Sequence, residues 1–219
     1  MKIGKIVDLS HKLYPGKEEY KLEMKTHFTD ELYPQYKRRE NEWYILQEVT
    51  LLTHVGTHIE MPYHHIKDGK DASEFPLEKL VGEAIIIDFV HKKKNESIGV
   101  DDLKRYDKKI RKGDIVIIKT GRSKFYRTKK AHERPYVTNE AVKWLVNKKI
   151  HCLGIDCSGI EMKGLDHQPN HTTLLENEIP LIEYLANLDA LKKDRVLLFI
   201  LPWKVEKLES SPVRVIAIE

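Results

Sequence analysis

The stretch THVGTHIEMPYHH, residues 53–65, gathers four of the 11 histidines of a 219-residue chain around one glutamate. His54 and His58 have the spacing of a shared helix face. Gly56 and Pro62 argue against a helix, because glycine is costly inside one and proline breaks its hydrogen-bond ladder. A strand end turning into a loop is expected instead. Side chains alternate in extended chain, so His58 and Glu60 face one side, and His64 falls on the same parity. Two imidazoles and a carboxylate from one short segment suit a divalent first-row metal, zinc or manganese. Gly56 lets the backbone approach closely enough to pack two ligands around one ion. A lone histidine is ordinarily a surface or hydrogen-bonded core residue, but that reading does not account for four with a carboxylate interleaved.

One segment seldom encloses an ion, so further ligands are sought elsewhere. HTTLLENEIPLIE, residues 171–183, offers His171 and Glu183, a weak pair when taken alone. DHQPNH, residues 166–171, adds His167, but Pro169 separates it from the helix face of His171 and makes it a loop histidine.

Around these segments the chain alternates short Ile- and Val-rich runs with helical patterns, which predicts an α/β fold. The expected strands are 5–9, 83–90, 114–120, 151–156, 195–201 and 213–219, with 43–54 leading into the histidines. Thr138 is a candidate N-cap for the helix NEAVKWLVNKK, whose Ala141, Val142, Leu145 and Val146 share one face, with lysines in its last turn. TLLEN at 173–177 and IPLIEYLANLDAL at 179–191 suggest two shorter helical pieces. The segment 10–42, with Pro15, Gly16 and Pro34, reads as extended and partly irregular. It and 121–135 are expected to shape a pocket.

Hydrophobic residues make up 41% and charged residues 33%, the balance of a soluble globular protein that folds as a single domain. No apolar run approaches the roughly 18 residues needed to cross a bilayer. The opening MKIGKIVDLSHKLYPG lacks the apolar core and cleavage site of a signal peptide, so a cytoplasmic location is expected. Cys152 and Cys157 are too few for a disulfide framework and read as two buried thiols. A net charge of +4, from 38 basic and 34 acidic residues, disfavours nucleic-acid binding, although HKKKN (91–95) and GRSKFYRTKKAHERP (121–135) are locally basic. Neither a Gly-x-Ser-x-Gly elbow, a phosphate loop nor a Gly-x-Gly-x-x-Gly fingerprint is present.

HVGTHIEMPYH resembles the His-x-Gly-Thr-His-x-Asp-x-Pro-x-His signature of the metal-dependent cyclase family, which includes bacterial kynurenine formamidase and isatin hydrolase. IVDLSHKLYPG, KGDIVIIKTGRSKFY, YVTNEAVKWLVNKKIHCLGIDCSGIE, HTTLLENEIPLIEYLANLDAL and PVRVIAIE are similar to other parts of the family, in the right order. The resemblance implies a mixed-sheet, swivelling β/β/α fold, assembled as a homodimer or homotetramer, with one or two ions per chain. His54 and His58 match the ligands of the first metal, and Glu60 stands where the family has a bridging aspartate. His171 matches a ligand of the second metal, Glu183 a carboxylate that contacts the metals, and His64 the catalytic histidine. Glu60 departs from the pattern by one methylene. The substrate-stacking tryptophan expected near the amino terminus is also missing, the first tryptophan being Trp43.

The function expected on these grounds is hydrolysis of an amide or lactam C–N bond of a small molecule by metal-activated water. Zinc is preferred over manganese, and His64 serves as general acid and base. The alternative is a metal-binding interaction or scaffold protein with a degenerate site.

Overall fold

The run IVIIK at 115–119 is apolar at four successive positions, which in an alternating strand demands cover on both faces. The structure, a computed structural model describing residues 4–219, provides that cover. Ile115 and Ile117 join a core that includes Leu9, Ile59, Met61, Ile182 and Leu198. Val116 and Ile118 face a second core with Ile87, Leu153, Val142 and Leu174. One sheet therefore separates two hydrophobic layers. The first three residues of the opening MKIGKIVDLS lie outside the described residues.

The first part of the chain forms β1 (Ile6–Asp8), β2 (Leu22–Phe28), α1 (Thr29–Leu32), β3 (Ile45–Leu51), β4 (His58–Glu60), β5 (Val81–Asp88), β6 (Ser97–Ile98) and α2 (Val100–Lys104). The remainder forms β7 (Ile115–Lys119), β8 (Tyr136–Val137), α3 (Asn139–Asn147), β9 (Cys152–Ile155), α4 (Pro169–Glu176), β10 (Leu181–Glu183), β11 (Arg195–Phe199), β12 (Ser210–Pro212) and β13 (Ile216–Ile218). The large sheet runs β1-β13-β11-β5-β7-β9-β10-β4-β12. Its centre, β5 to β10, is parallel, and antiparallel pairs flank it on either side. The mixed α/β expectation therefore holds. No helix among the described residues is long and apolar enough to cross a membrane.

This topology brings the ligand segments together. β4 lies between β10 and β12, with His58 opposite Glu183 on one side and Pro212 on the other. Glu183 ends β10, and the loop after β9 lies beside it, so the site occupies the carboxyl ends of parallel strands, where α/β sheets commonly open a crevice.

Several local expectations are corrected. Residues 179–191 are not helical: Leu181–Glu183 is strand β10, buried between β9 and β4, followed by a single 3-10 turn at Leu188–Ala190. A short apolar run is ambiguous between strand and helix, and here pairing on both edges decides it. Helix α4 starts at Pro169, earlier than residue 173, because proline at the first helical position forfeits no hydrogen bond. Helix α3 has the Thr138 cap, accepting from the Ala141 N–H at 3.2 Å, but stops at Asn147. Lys148 caps it and Lys149 turns left-handed, so no lysine lies in its last turn. Within 10–42, residues 22–28 are a regular strand hydrogen-bonded to β3 along its length. Both cysteines are buried, as expected, and burial raises both thiol pKa values.

Candidate metal centre

The turn into β4 requires Gly56. Its φ is +67°, and a side chain there would meet Leu13 Cδ2 at 2.3 Å. Thr57 then ties three segments together, its hydroxyl donating to the Tyr184 carbonyl at 2.6 Å and accepting from the His11 N–H at 2.9 Å. The Gly-Thr pair is thus scaffolding for the two histidines around it.

Each candidate imidazole has its Nδ1 occupied. His58 Nδ1 lies 2.8 Å from the Gly56 carbonyl, which can only accept, so Nδ1 carries the proton. The Thr53 hydroxyl donates to Glu209 Oε1 at 2.5 Å and is left to accept from His54 Nδ1 at 3.1 Å. His171 Nδ1 donates to Glu161 Oε1 at 2.9 Å. Partners of this kind fix the tautomer and ring orientation of metal-binding histidines. All three rings turn Nε2 toward Glu60, and those of His58 and His171 face Glu183 as well.

His54 Nε2 is 3.4 Å and His58 Nε2 3.7 Å from Glu60 Oε1. His171 Nε2 is 3.4 Å from Glu60 Oε2 and 3.4 Å from Glu183 Oε1, and His58 Nε2 is 3.9 Å from Glu183 Oε2. Two ligand atoms on a tetrahedral ion at the usual zinc–nitrogen distance stand about 3.3 Å apart, and these gaps are of that size. They are too long for hydrogen bonds, and the buried His54 Nε2, His58 Nε2 and Glu60 Oε2 have no hydrogen-bond partner. Two sets of three, His54–Glu60–His64 and His58–Glu60–Glu183, each place their ligand atoms within 4.8 Å of one another. Glu60 belongs to both sets. The donors fit one or two divalent ions.

Without an ion the charges hold one another. Burial opposes ionisation of Glu60, but the facing imidazoles of His54 and His58 and the charge of His171 keep its carboxyl well below the usual range. Burial likewise works against protonation of His171, yet Glu161, Glu183 and Glu60 raise its pKa to about 10. His64 behaves differently, because burial dominates and lowers its pKa. It is half-buried, with its ring centroid 4.7 Å from that of His54 and Nδ1 3.8 Å from Glu209 Oε2. Strand alternation does not bring it there: a 3-10 turn at Pro62–His64 follows β4, which corrects the parity expectation.

Residues 7–162 match the model of the family described as putative cyclase. The chain belongs to the cyclase family. This cyclase-family chain is 27% identical to the kynurenine formamidase of Bacillus cytotoxicus over 169 residues, 77% of this chain and 78% of that one. It is 30% identical over 180 residues to an uncharacterised protein of Methanocaldococcus jannaschii, 80% of this chain and 83% of the other. A predicted metal-dependent hydrolase from Bacillus stearothermophilus superimposes with a TM-score of 0.76 at 28% identity, covering 98% of both chains. An isatin hydrolase bound to the product analogue thioisatinate superimposes at TM-score 0.84, covering 98% of this chain and 92% of its own. At 21% identity that likeness shows the fold alone.

The five ligand candidates and His64 therefore converge, while His167 is exposed in the loop before α4. A cavity of about 470 Å³ opens beside them. Trp43 is 74% exposed against Phe28, outside that cavity; the aromatic residue that reaches it from the amino-terminal segment is Tyr20. A larger hollow of about 530 Å³ between His11, Trp203 and Arg214 has no comparable ligand set among the described residues. Sequence reading missed Glu161, Glu209 and Arg134. Glu161 had one available signal: α4 begins without a capping side chain, so its first N–H groups need an acceptor from elsewhere. Glu161 Oε1 supplies it, accepting from Asn170 N at 2.8 Å and His171 N at 3.0 Å.

Proposed function

We propose that this cyclase-family protein is a metal-dependent hydrolase that cleaves an amide or lactam C–N bond of a small molecule. The observation that carries the reading is the set of three Nδ1-anchored histidines whose Nε2 atoms face Glu60, two of them facing Glu183 as well. His54, His58, Glu60, His171 and Glu183 would hold the metal, zinc before manganese, as one ion or two sharing Glu60. When bound, such an ion polarises a carbonyl oxygen and lowers the pKa of water.

His64 would move the proton. Burial keeps its ring neutral at pH 7, and with Nδ1 facing Glu209, Nε2 is the atom that accepts the proton of the attacking water. As the new C–O bond forms and the C–N bond breaks, the same nitrogen returns that proton to the leaving amine. The exposed Trp43, Val49, Leu52 and Trp203 support assembly as a homodimer or homotetramer, which we place in the cytoplasm.

The test is elemental analysis of purified protein, followed by hydrolysis assays with N-formylkynurenine, isatin and simple lactams. His64→Ala should lose about 10²–10⁴ in rate and keep its metal, general acid–base help being of that size. His58→Ala should lose both metal and activity, and chelation should abolish turnover of the wild type. Bound metal without turnover of any probe would leave a scaffold role instead.

A further inference from the structure

The cavity beside the ligand cluster carries one permanent positive charge. Among the described residues, Arg134 is the only arginine or lysine that lines it. Its Nε donates to the Ser158 carbonyl at 2.8 Å and to Ser158 Oγ at 3.2 Å. Its Nη1 donates to the Glu161 carbonyl at 2.6 Å and, more weakly, to the Pro135 carbonyl at 3.4 Å. All four acceptors are neutral. Among the described residues no carboxylate comes within the 4.0 Å of an ion pair with this guanidinium, and Nη2 makes no hydrogen bond.

The free Nη2 stands against a gap that only glycine leaves open. A Cβ on Gly159 would lie 3.3 Å from Nη2 and 2.6 Å from Glu183 Oε1, and its φ of +97° also demands glycine. The guanidinium is thus fastened along one edge, its remaining donors close to a carboxylate of the ligand cluster yet unpaired with it. A guanidinium stays protonated at any relevant pH, and its charge is costly to enclose without a counter-charge. Its planar fork matches a carboxylate. Glu60 and Glu183 are already faced by His58 and His171.

We propose that Arg134 is a specificity-determining residue that binds a carboxylate on the substrate, away from the bond that is cut, so that the preferred substrates are anionic amides. This rests on the amide-hydrolase reading. The free charge on the cavity wall selects the substrate; Arg134 moves no proton.

The experiment compares metal-loaded wild type, Arg134→Gln and Arg134→Lys on formanilide and 2-formamidobenzoate, which differ by one carboxylate. Wild type should favour 2-formamidobenzoate at least tenfold in kcat/KM, and Arg134→Gln should bring that ratio near unity, chiefly through KM. Arg134→Lys keeps the charge and should retain part of the preference, which a purely structural loss would not. Equal handling of both probes by wild type, or an equal loss on both in Arg134→Gln, overturns the proposal. If wild type hydrolyses neither probe, the hydrolase reading is what fails for such amides. The Arg134 site is then read by fluorescence titration with 2-aminobenzoate: binding weakened about tenfold in Arg134→Gln supports it, and no binding, or equal binding by the variant, overturns it.

Discussion

Glu161 shows how much a candidate metal site owes to side chains beyond the imidazoles it gathers. One of its oxygens accepts from His171 Nδ1 and from the N–H groups of Asn170 and His171, so a single carboxylate aims the ring and caps the helix that carries it. Glu161→Gln keeps the shape but removes the charge. It should weaken metal binding about 10–100-fold, the usual cost of losing such a partner, as read by competition with a chelator. Unchanged affinity would mean that the ring is held by packing alone. At this scale the primary cluster was legible, because His54, His58 and Glu60 are neighbours in sequence and their chemistry shows in their spacing. Glu161, Glu209 and Arg134 were not: each matters through a contact with Ser158, Thr53 or His171 that only the folded chain creates.

The short elements at the site are set by neighbours more than by their own residues. β4 has three residues and β10 has three, too few for a pattern, yet each is paired on both edges. That is why 179–191 misleads as helix, whereas β5, β7 and β11 could be read directly from the Ile, Val and Leu runs at 85–87, 115–118 and 196–198. The loop leaving β9 is equally constrained. Gly159→Ala should displace Glu183, since the new Cβ would sit 2.6 Å from Oε1 in a backbone conformation that alanine resists. The expected result is lower metal content with an unchanged far-ultraviolet circular dichroism spectrum. Full metal loading would show that the loop relaxes without moving the carboxylate.

Across the whole molecule, stability rests on the two apolar layers and on carboxylates tied down between distant segments. Ile117→Ala, at a fully covered position of the central strand, should cost about 2–5 kcal/mol in denaturant unfolding. Burial pushes Asp71 and Asp102 up, but hydrogen bonds from Ser73, Lys207 and Glu74 onto the first, and from Lys92 and Gly99 onto the second, hold both below the usual carboxylate value. A depressed folded pKa gives stability that is fully present above the unfolded value of about 3.9 and is lost as pH falls through the folded one. Below about pH 4 the melting temperature should therefore drop less steeply in Asp102→Asn than in wild type; an equal drop in both would contradict this. The α/β class was legible because strands and helices alternate, but the order of strands was not, since pairing joins residues that are far apart in the chain. One outcome of that order concerns timing. β4, made early, has its second neighbour only when residues 210–212 arrive. A ribosome-bound chain stalled before Ser210 holds His54, His58 and Glu60 on a strand with that flank unmatched, so the candidate cluster is braced on both sides only once the carboxyl-terminal residues join the sheet.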